Sequence, residues 1–284
     1  MSGQLFVVAT PLGNLDDLSP RALRTLRSVS LVACEDTRRT AKLLARHGVD
    51  VPTVSCHKFN ESRRIEPILV RLRGGEDVAL VSDGGTPGIS DPGALLVRIA
   101  LCEGIRVAPV PGPSAAATLL SVSGLAADRY VFEGFLPHRA GERRRRLREL
   151  RDEPRTLVLF EAPHRLVATL RDIEEVIGAR DLVLGRELTK VYETILIGTP
   201  RELAARLHEG EVRGEITLVM AGRGERNTVG EVDSRARQIL ECWRETLLEV
   251  DGDRRAALRR AARTLGMGRA ELQRRLTEVG EDGD

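Results

Sequence analysis

Three polar clusters stand just beyond apolar runs that read as strands: Glu35, Asp36, Arg38 and Arg39; His57, Lys58, Asn60, Glu61 and Arg63; and Arg186, Glu187 and Lys190. Carboxylates, an imidazole and an amine in such places can take a proton from a weakly acidic hydroxyl or steady a developing oxyanion. Each also has a structural reading. Asp36 or Thr37 can cap the helix that follows, Glu35 can pair with an arginine, and His57 and Lys58 can be solvated. Lys190 is one of three lysines in an arginine-dominated chain, which singles out a compact amine at that position. His164, behind Pro163, reads as a helix start, and His47, His138 and His208 as surface positions.

A ligand for these groups is suggested by Leu80–Gly93, where an apolar run ends in four glycines and two prolines within ten residues. Such a backbone is fixed and can be approached closely by a bare ligand. Asp91 is the expected cap of the next helix, with Pro92 in its first turn. That places a small-molecule site at the carboxyl end of a strand, where open α/β sheets bind ligands. No lysine follows a glycine-rich stretch, so there is no P-loop. Gly222-Arg223-Gly224 and Gly266-Met267-Gly268 lack the later glycine of a dinucleotide fingerprint. No histidine pair sits at i, i+4, and Cys34, Cys56, Cys102 and Cys242 are too dispersed in sequence to suggest a zinc cluster. The expectation is a neutral or zwitterionic ligand held by backbone groups, without metal.

The elements that must position these residues alternate. Leu5–Thr10, Val29–Cys34, Asp77–Ser82 and Ile105–Val110 read as short buried strands. Helices open at Ser19-Pro20, at Asp36 or Thr37, at Asn60 and at Asp91, closing near Gly48, Gly74-Gly75 and Gly104. This predicts a parallel sheet covered by helices. After Pro111-Gly112-Pro113-Ser114 and a small-residue helix, Ala115–Val122, a second α/β unit follows. Its strands are Tyr130–Phe135, Thr156–Glu161, Leu182–Arg186, Glu193–Ile197 and Glu215–Ala221, with helices near 139–152, 164–177 and 200–209. Their alternation suggests mixed or antiparallel pairing.

Gly222–Gly230 reads as a linker, and Ser234–Val250, Arg254–Leu265 and Arg269–Val279 as a helical tail with a helix-turn-helix ending, before a frayed acidic end at 281–284. The expected boundaries are 1–113 for the first α/β domain, 114–225 for the second and 231–280 for the tail. With 284 residues, 42% hydrophobic and 30% charged, the chain reads as soluble and globular. No apolar run approaches the ~20 residues of a membrane span. The N-terminus shows no signal sequence, and four dispersed cysteines suggest buried thiols in a reducing cytoplasm.

Two arginine runs stand out in a chain of net charge +2: seven arginines in 139–151, including Arg143, Arg144, Arg145 and Arg146, and eight in 254–275, including Arg259 and Arg263. Either run alone reads as a solvated face in an arginine-rich proteome. Together they favour a polyanionic partner, because concentrated charge releases counterions from phosphates. At 3% aromatic content, an extended base-stacking platform is not expected.

Five motifs then occur in order: Val8–Leu15, Ala33–Thr40, the 80–93 loop, Pro109–Ala115 and Phe160–Arg165. On these the chain closely resembles the ribosomal small subunit methyltransferase I family, within the tetrapyrrole methylase superfamily, over about residues 4–225. The resemblance implies the two-domain, class III S-adenosylmethionine methyltransferase fold with a helical, helix-turn-helix-like extension. It also implies S-adenosylmethionine as donor, a homodimer, and 2′-O-methylation of a cytidine in the decoding region of 16S rRNA on the small subunit. Carried onto this chain, the donor contacts are Pro11, Leu12, Gly85, Thr86, Ile89, Ser90, Ser114 and Ala115, with Phe160 or Glu161 and the Glu215-Ile216-Thr217 strand closing the cleft. Gly84, Gly88 and the exchange of many lysines for arginine depart from the family pattern.

Transfer to a ribose hydroxyl would draw its base or cation from Glu35, His57 and Lys190, while Arg38, Arg39, Lys58 and Arg63 join the arginine runs as RNA contacts. Two other readings share the core: a small-molecule tetrapyrrole methyltransferase, and a non-catalytic rRNA-binding assembly factor.

Overall fold

Short apolar runs punctuated by glycine and proline become two five-stranded sheets in the computed structural model, which describes residues 2–207, 212–224, 228–250 and 253–278. His208, the end of the helix expected to reach 209, residues 225–227 of the expected linker, and the acidic end at 281–284 lie outside the described residues. Residues Met1–Gly224 form one compact unit and Glu225–Asp284 a second.

The first sheet holds β1 (Gln4–Val8), β2 (Leu31–Cys34), β3 (Thr53–Ser55), β4 (Val78–Val81) and β5 (Arg106–Val110), all parallel, in the order β3-β2-β4-β1-β5. Residues of β2 and β4 are buried throughout, as strands covered on both faces must be. Leu5, Leu31, Ala33, Val78 and Leu80 face α3 (Glu61–Arg73) and α4 (Ala94–Cys102); Val8, Val32, Cys34, Ala79 and Val81 face α1 (Pro20–Ser28) and α2 (Thr37–Arg46). Strand β3 is the one expected just ahead of the His57 cluster, whose limits the sequence left unstated. It is a three-residue edge behind Pro52, too short to show a period.

The second sheet is mixed, in the order β6-β7-β10-β8-β9. Strands β6 (Tyr130–Phe135) and β7 (Thr156–Glu161) are parallel, whereas β10 (Ile216–Met220) runs antiparallel to β7 and β8 (Leu182–Arg186), and β9 (Thr194–Gly198) antiparallel to β8. One face packs on α6 (Ala140–Leu150), α7 (Leu166–Val176) and α8 (Pro200–Arg206), and the other on α5 (Ala115–Ser123). Leu12, from the loop after β1, packs against this second core and ties the sheets together.

The tail unit comprises α9 (Thr228–Glu249), α10 (Arg254–Thr264) and α11 (Arg269–Glu278), so its first helix starts six residues before the expected Ser234. Trp243 anchors it against Ala257, Ala261, Leu272 and Leu276. Asp253 caps α10 by accepting from the Arg255 and Ala256 amides. Among the described residues no helix is long and apolar enough to cross a membrane.

Three expectations are corrected. Asp91 does not cap α4: the helix begins at Ala94, and its cap is Gly93 at φ +119°, where an added Cβ would lie 2.5 Å from Leu80 Cδ2. The thiols are not uniformly buried, since Cys102 is exposed at the end of α4. Three of the seven arginines in 139–151 are committed within the fold. Arg143 is 5% exposed, and its Nε and Nη2 lie 2.6 and 2.5 Å from Asp172 Oδ2 on α7. Arg144 reaches Asp172 and Glu175, and Arg146 is forked onto Glu133 while also meeting Glu149, leaving Arg145 exposed.

Replacing Arg143 by alanine leaves the Asp172 carboxylate buried beside only Arg144, and is expected to remove about 3 kcal/mol of stability in urea denaturation. Arg145→Ala should stay within roughly 0.5 kcal/mol of wild type. Equal effects of the two would overturn the anchoring role of Arg143.

Candidate functional site

Thr10 and Gly85 exchange backbone hydrogen bonds of 2.9 Å each, joining the loops after β1 and β4. Gly85 adopts φ +90°, open to glycine, and a Cβ on Gly84 would lie 3.2 Å from the Pro11 carbonyl oxygen. The Thr86 hydroxyl donates to the Pro113 carbonyl at 3.2 Å, bringing in the loop after β5. Three strand ends of the first sheet thus meet almost without side chains between them. Opposite lie the ends of β6, β7 and β10.

Between the sheets is a cleft of about 380 Å³. Leu12, Gly84, Gly85, Thr86, Ile89, Ser114 and Ala115 line it from the first side and the start of α5; Phe135, Phe160, Ala162, Pro163, Gly214, Ile216 and Thr217 line it from the second. Of the positions inferred as donor contacts, only two fall elsewhere. Pro11 lines an adjoining cavity with Lys42 and Leu43, and exposed Ser90, at φ +62°, places its hydroxyl over Gly134 in the β6 bulge.

The charges are lopsided. Glu35, Asp83, Asp91, Glu161 and Glu215 line the cleft, against a single guanidinium, Arg39. Arg39 lies 3.6 Å from both Asp83 and Glu215 and so links the two sheets. Glu161 is turned into the structure, where it accepts from Thr169, Arg165 and the Ala162 amide. The other acids remain less compensated. Burial, then the Glu35 charge, pushes Asp91 up to about 7, against a hydrogen bond with Ser82. Burial and the nearby Asp83 raise Glu35, with His57 and Arg39 opposing; burial likewise raises Asp83, against the Asp36 amide and Arg39. Asp36 is the exception. Its carboxylate accepts from the side chain and amide of Arg38, which hold it well below the usual range, and it caps α2.

A second cavity, of about 470 Å³, shares Glu35 and Asp83 with the cleft and is otherwise lined by Asp36, Thr37, Arg38, Ser55, His57, Lys58 and Phe59. Glu35 and His57 are therefore brought together, whereas Lys190 is spent elsewhere. Its ammonium lies 2.9 Å from Glu187 and 3.3 Å from Glu215, and its stem fills the space beside Gly13. Nearby, the Thr189 hydroxyl accepts from the Asn14 amide, making this group a second tie between the sheets. Arg38, Arg39, Lys58, Arg63, Arg145, Arg259 and Arg263 are all exposed.

Sequence reasoning did not single out Asp83, Asp91 or Phe135 as site residues. Asp91 carried a signal, its place between Ser90 and Pro92, but one that also fits a helix cap.

Residues 4–204 match the family described as Tetrapyrrole (Corrin/Porphyrin) Methylases. A solved uroporphyrin-III C-methyltransferase from Thermus thermophilus, complexed with S-adenyl homocysteine, superimposes at a TM-score of 0.57 with 21% identity, over 77% of this chain and 97% of that one. The fold is thus that of a tetrapyrrole methylase. Ribosomal RNA small subunit methyltransferase I of Pseudomonas aeruginosa is 52% identical over 78% of this chain and 79% of its own length. Its counterpart in Synechocystis is 42% identical over 99% and 100%. The chain belongs to the ribosomal RNA small subunit methyltransferase I family.

The carboxyl of Asp91 provides a pH test. Its folded value of about 7 lies above the ~3.9 of an unfolded aspartate, so its ionisation opposes folding. Stability should fall as pH rises from about 4 through 7 and level off above. Asp91→Asn removes this dependence, and its melting temperature should gain on wild type between pH 4 and 8. A pH-independent difference would show that Asp91 is not perturbed as described.

Proposed function

We propose that the chain is an S-adenosylmethionine-dependent methyltransferase acting on the ribose 2′-hydroxyl of a cytidine in small-subunit rRNA. The carboxylate-rich, glycine-floored cleft carries the reading. A ligand with a sulfonium and an ammonium suits a wall of Glu35, Asp83, Asp91 and Glu215, and a phosphate-bearing one does not. The volume falls in the roughly 300–1,000 Å³ range of small-molecule sites. Leu12, Gly85, Thr86, Ile89, Ser114, Ala115, Phe160 and Ile216 would hold the donor, which supplies a methyl group on a positively charged sulfur. The relatives' names support rRNA as the acceptor, and exposed Lys58 beside the second cavity, with exposed Arg63 on α3, suits its backbone.

Work by the chain is then mainly alignment. The bridged loops hold one side of the cleft and the β7 and β10 ends the other, while Phe135, Phe160 and Ile216 keep water from the reacting atoms. Glu35, common to both cavities and raised by burial, accepts the hydroxyl proton on a carboxylate oxygen. Asp91, partly ionised near neutrality, keeps the site negative and is the carboxyl next in line. Homodimer formation and RNA docking by the arginine-bearing tail belong to the same proposal and rest on the family resemblance and on exposed Arg259 and Arg263.

Purified protein with labelled donor and reconstituted small subunits should yield a labelled 2′-O-methylcytidine on nucleoside mapping. Glu35→Gln should lower kcat by about 10²–10⁴-fold with a far smaller effect on donor affinity. Ser114→Trp should abolish donor binding in calorimetry without unfolding the protein. A wild-type enzyme that labels no RNA would overturn the assignment.

A further inference from the structure

Phe59 is 91% exposed, and phenylalanine, tyrosine and tryptophan together make up 3% of this chain. An apolar ring in water needs a reason when it also borders a cavity. The turn that carries it is well built. The Asn60 side chain accepts from the His57 amide at 2.7 Å and donates to the Ser55 carbonyl at 3.3 Å, pinning the segment between β3 and α3. His57 Nδ1 accepts from the Phe59 amide at 3.2 Å, so the neutral ring carries its proton on Nε2. The two rings meet edge to face at 6.1 Å. Phe59 is therefore displayed in a set orientation rather than left loose.

We infer that this second cavity is the subsite that receives the base of the nucleotide to be methylated, with Phe59 as its stacking surface. The inference rests on the RNA-methyltransferase reading and deepens it. The cavity holds about 470 Å³, enough for a nucleoside, and shares Glu35 and Asp83 with the donor cleft. A base stacked here sets its own ribose at that shared wall, where the proton acceptor stands. The lining suits a neutral base that both donates and accepts. The Asp83 carboxylate can take a hydrogen bond from an exocyclic amine and His57 Nε2 can donate to a ring carbonyl, which leaves Glu35 for the ribose hydroxyl. Asp36 is already committed to Arg38, and exposed Lys58 stands at the rim, fitted to a flanking phosphate. A base paired inside a duplex could not enter, so the acceptor is an unpaired or extruded nucleotide.

The experiment compares Phe59→Ala, Phe59→Trp and wild type for methyl transfer to reconstituted small subunits, with donor affinity measured separately by calorimetry. Phe59→Ala should raise the KM for RNA by roughly 5- to 150-fold while leaving donor affinity and melting temperature unchanged. Phe59→Trp, which retains a stacking face, should stay within about threefold of wild type. If wild type transfers methyl but Phe59→Ala keeps a normal KM, or if the tryptophan variant is as impaired as the alanine one, the subsite is overturned and the enzymatic reading stands. A wild-type protein that labels no RNA would overturn both.

Discussion

Two reciprocal hydrogen bonds between the Thr10 and Gly85 backbones are the constraint on which the rest of this molecule depends. They hold the loops after β1 and β4 together, with Gly85 at φ +90°, a conformation open to glycine. The neighbouring approaches are close. A Cβ on Gly112 would sit 3.0 Å from that of Ala9, and one on Gly84 would press the Pro11 carbonyl. Side chains are therefore kept out of the floor of the cleft, and a ligand can reach main-chain groups that are already held in place. From the same loops, Leu12 enters the core of the second sheet, and Ser114 leads into α5. One short stretch of paired backbone both shapes the floor and joins the sheets.

The electrostatics follow from that junction. Strand ends converge, and the acids they carry converge with them, partly out of water. Arg39 and Lys190 span the gap to Glu215, while Asp91 and Glu35 are taken partly out of water beside other carboxylates, and their pKa values rise in consequence. Unbalanced negative charge is costly in a fold and useful in a site for a cation. The same division runs through the arginines. Arg143, Arg144 and Arg146 neutralise acids of the elements around the second sheet, whereas Arg63, Arg145, Arg259 and Arg263 stand exposed to solvent.

Much of the architecture was legible in the chain. The strands of the second sheet and most helices lie within a residue or two of their expected limits, because glycine, proline and capping residues mark the ends and apolar runs mark the middles. Exceptions have physical causes. The limits of strand β3 could not be read because three residues are too short to display a period, and α4 starts late because Gly93 at φ +119°, rather than Asp91, turns the chain into the helix. The donor side of the cleft was also visible, as glycine- and proline-rich loops at strand ends are local features.

What could not be read locally was the partner of each charge. The local excess of arginine in 139–151 said nothing of Asp172 on another helix or Glu133 on a strand, which between them hold Arg143, Arg144 and Arg146. The ion pairs of Lys190 with Glu187 and Glu215 were invisible in the sequence, and Asp91 looked structural until burial set it in the cleft. Sequence determined the elements and the bare loops, since these depend on backbone preferences and apolar spacing within a few residues. Only the tertiary structure decided which ionisable groups are neutralised and which stay poised, because desolvation and Coulomb forces act between residues that the fold alone makes neighbours.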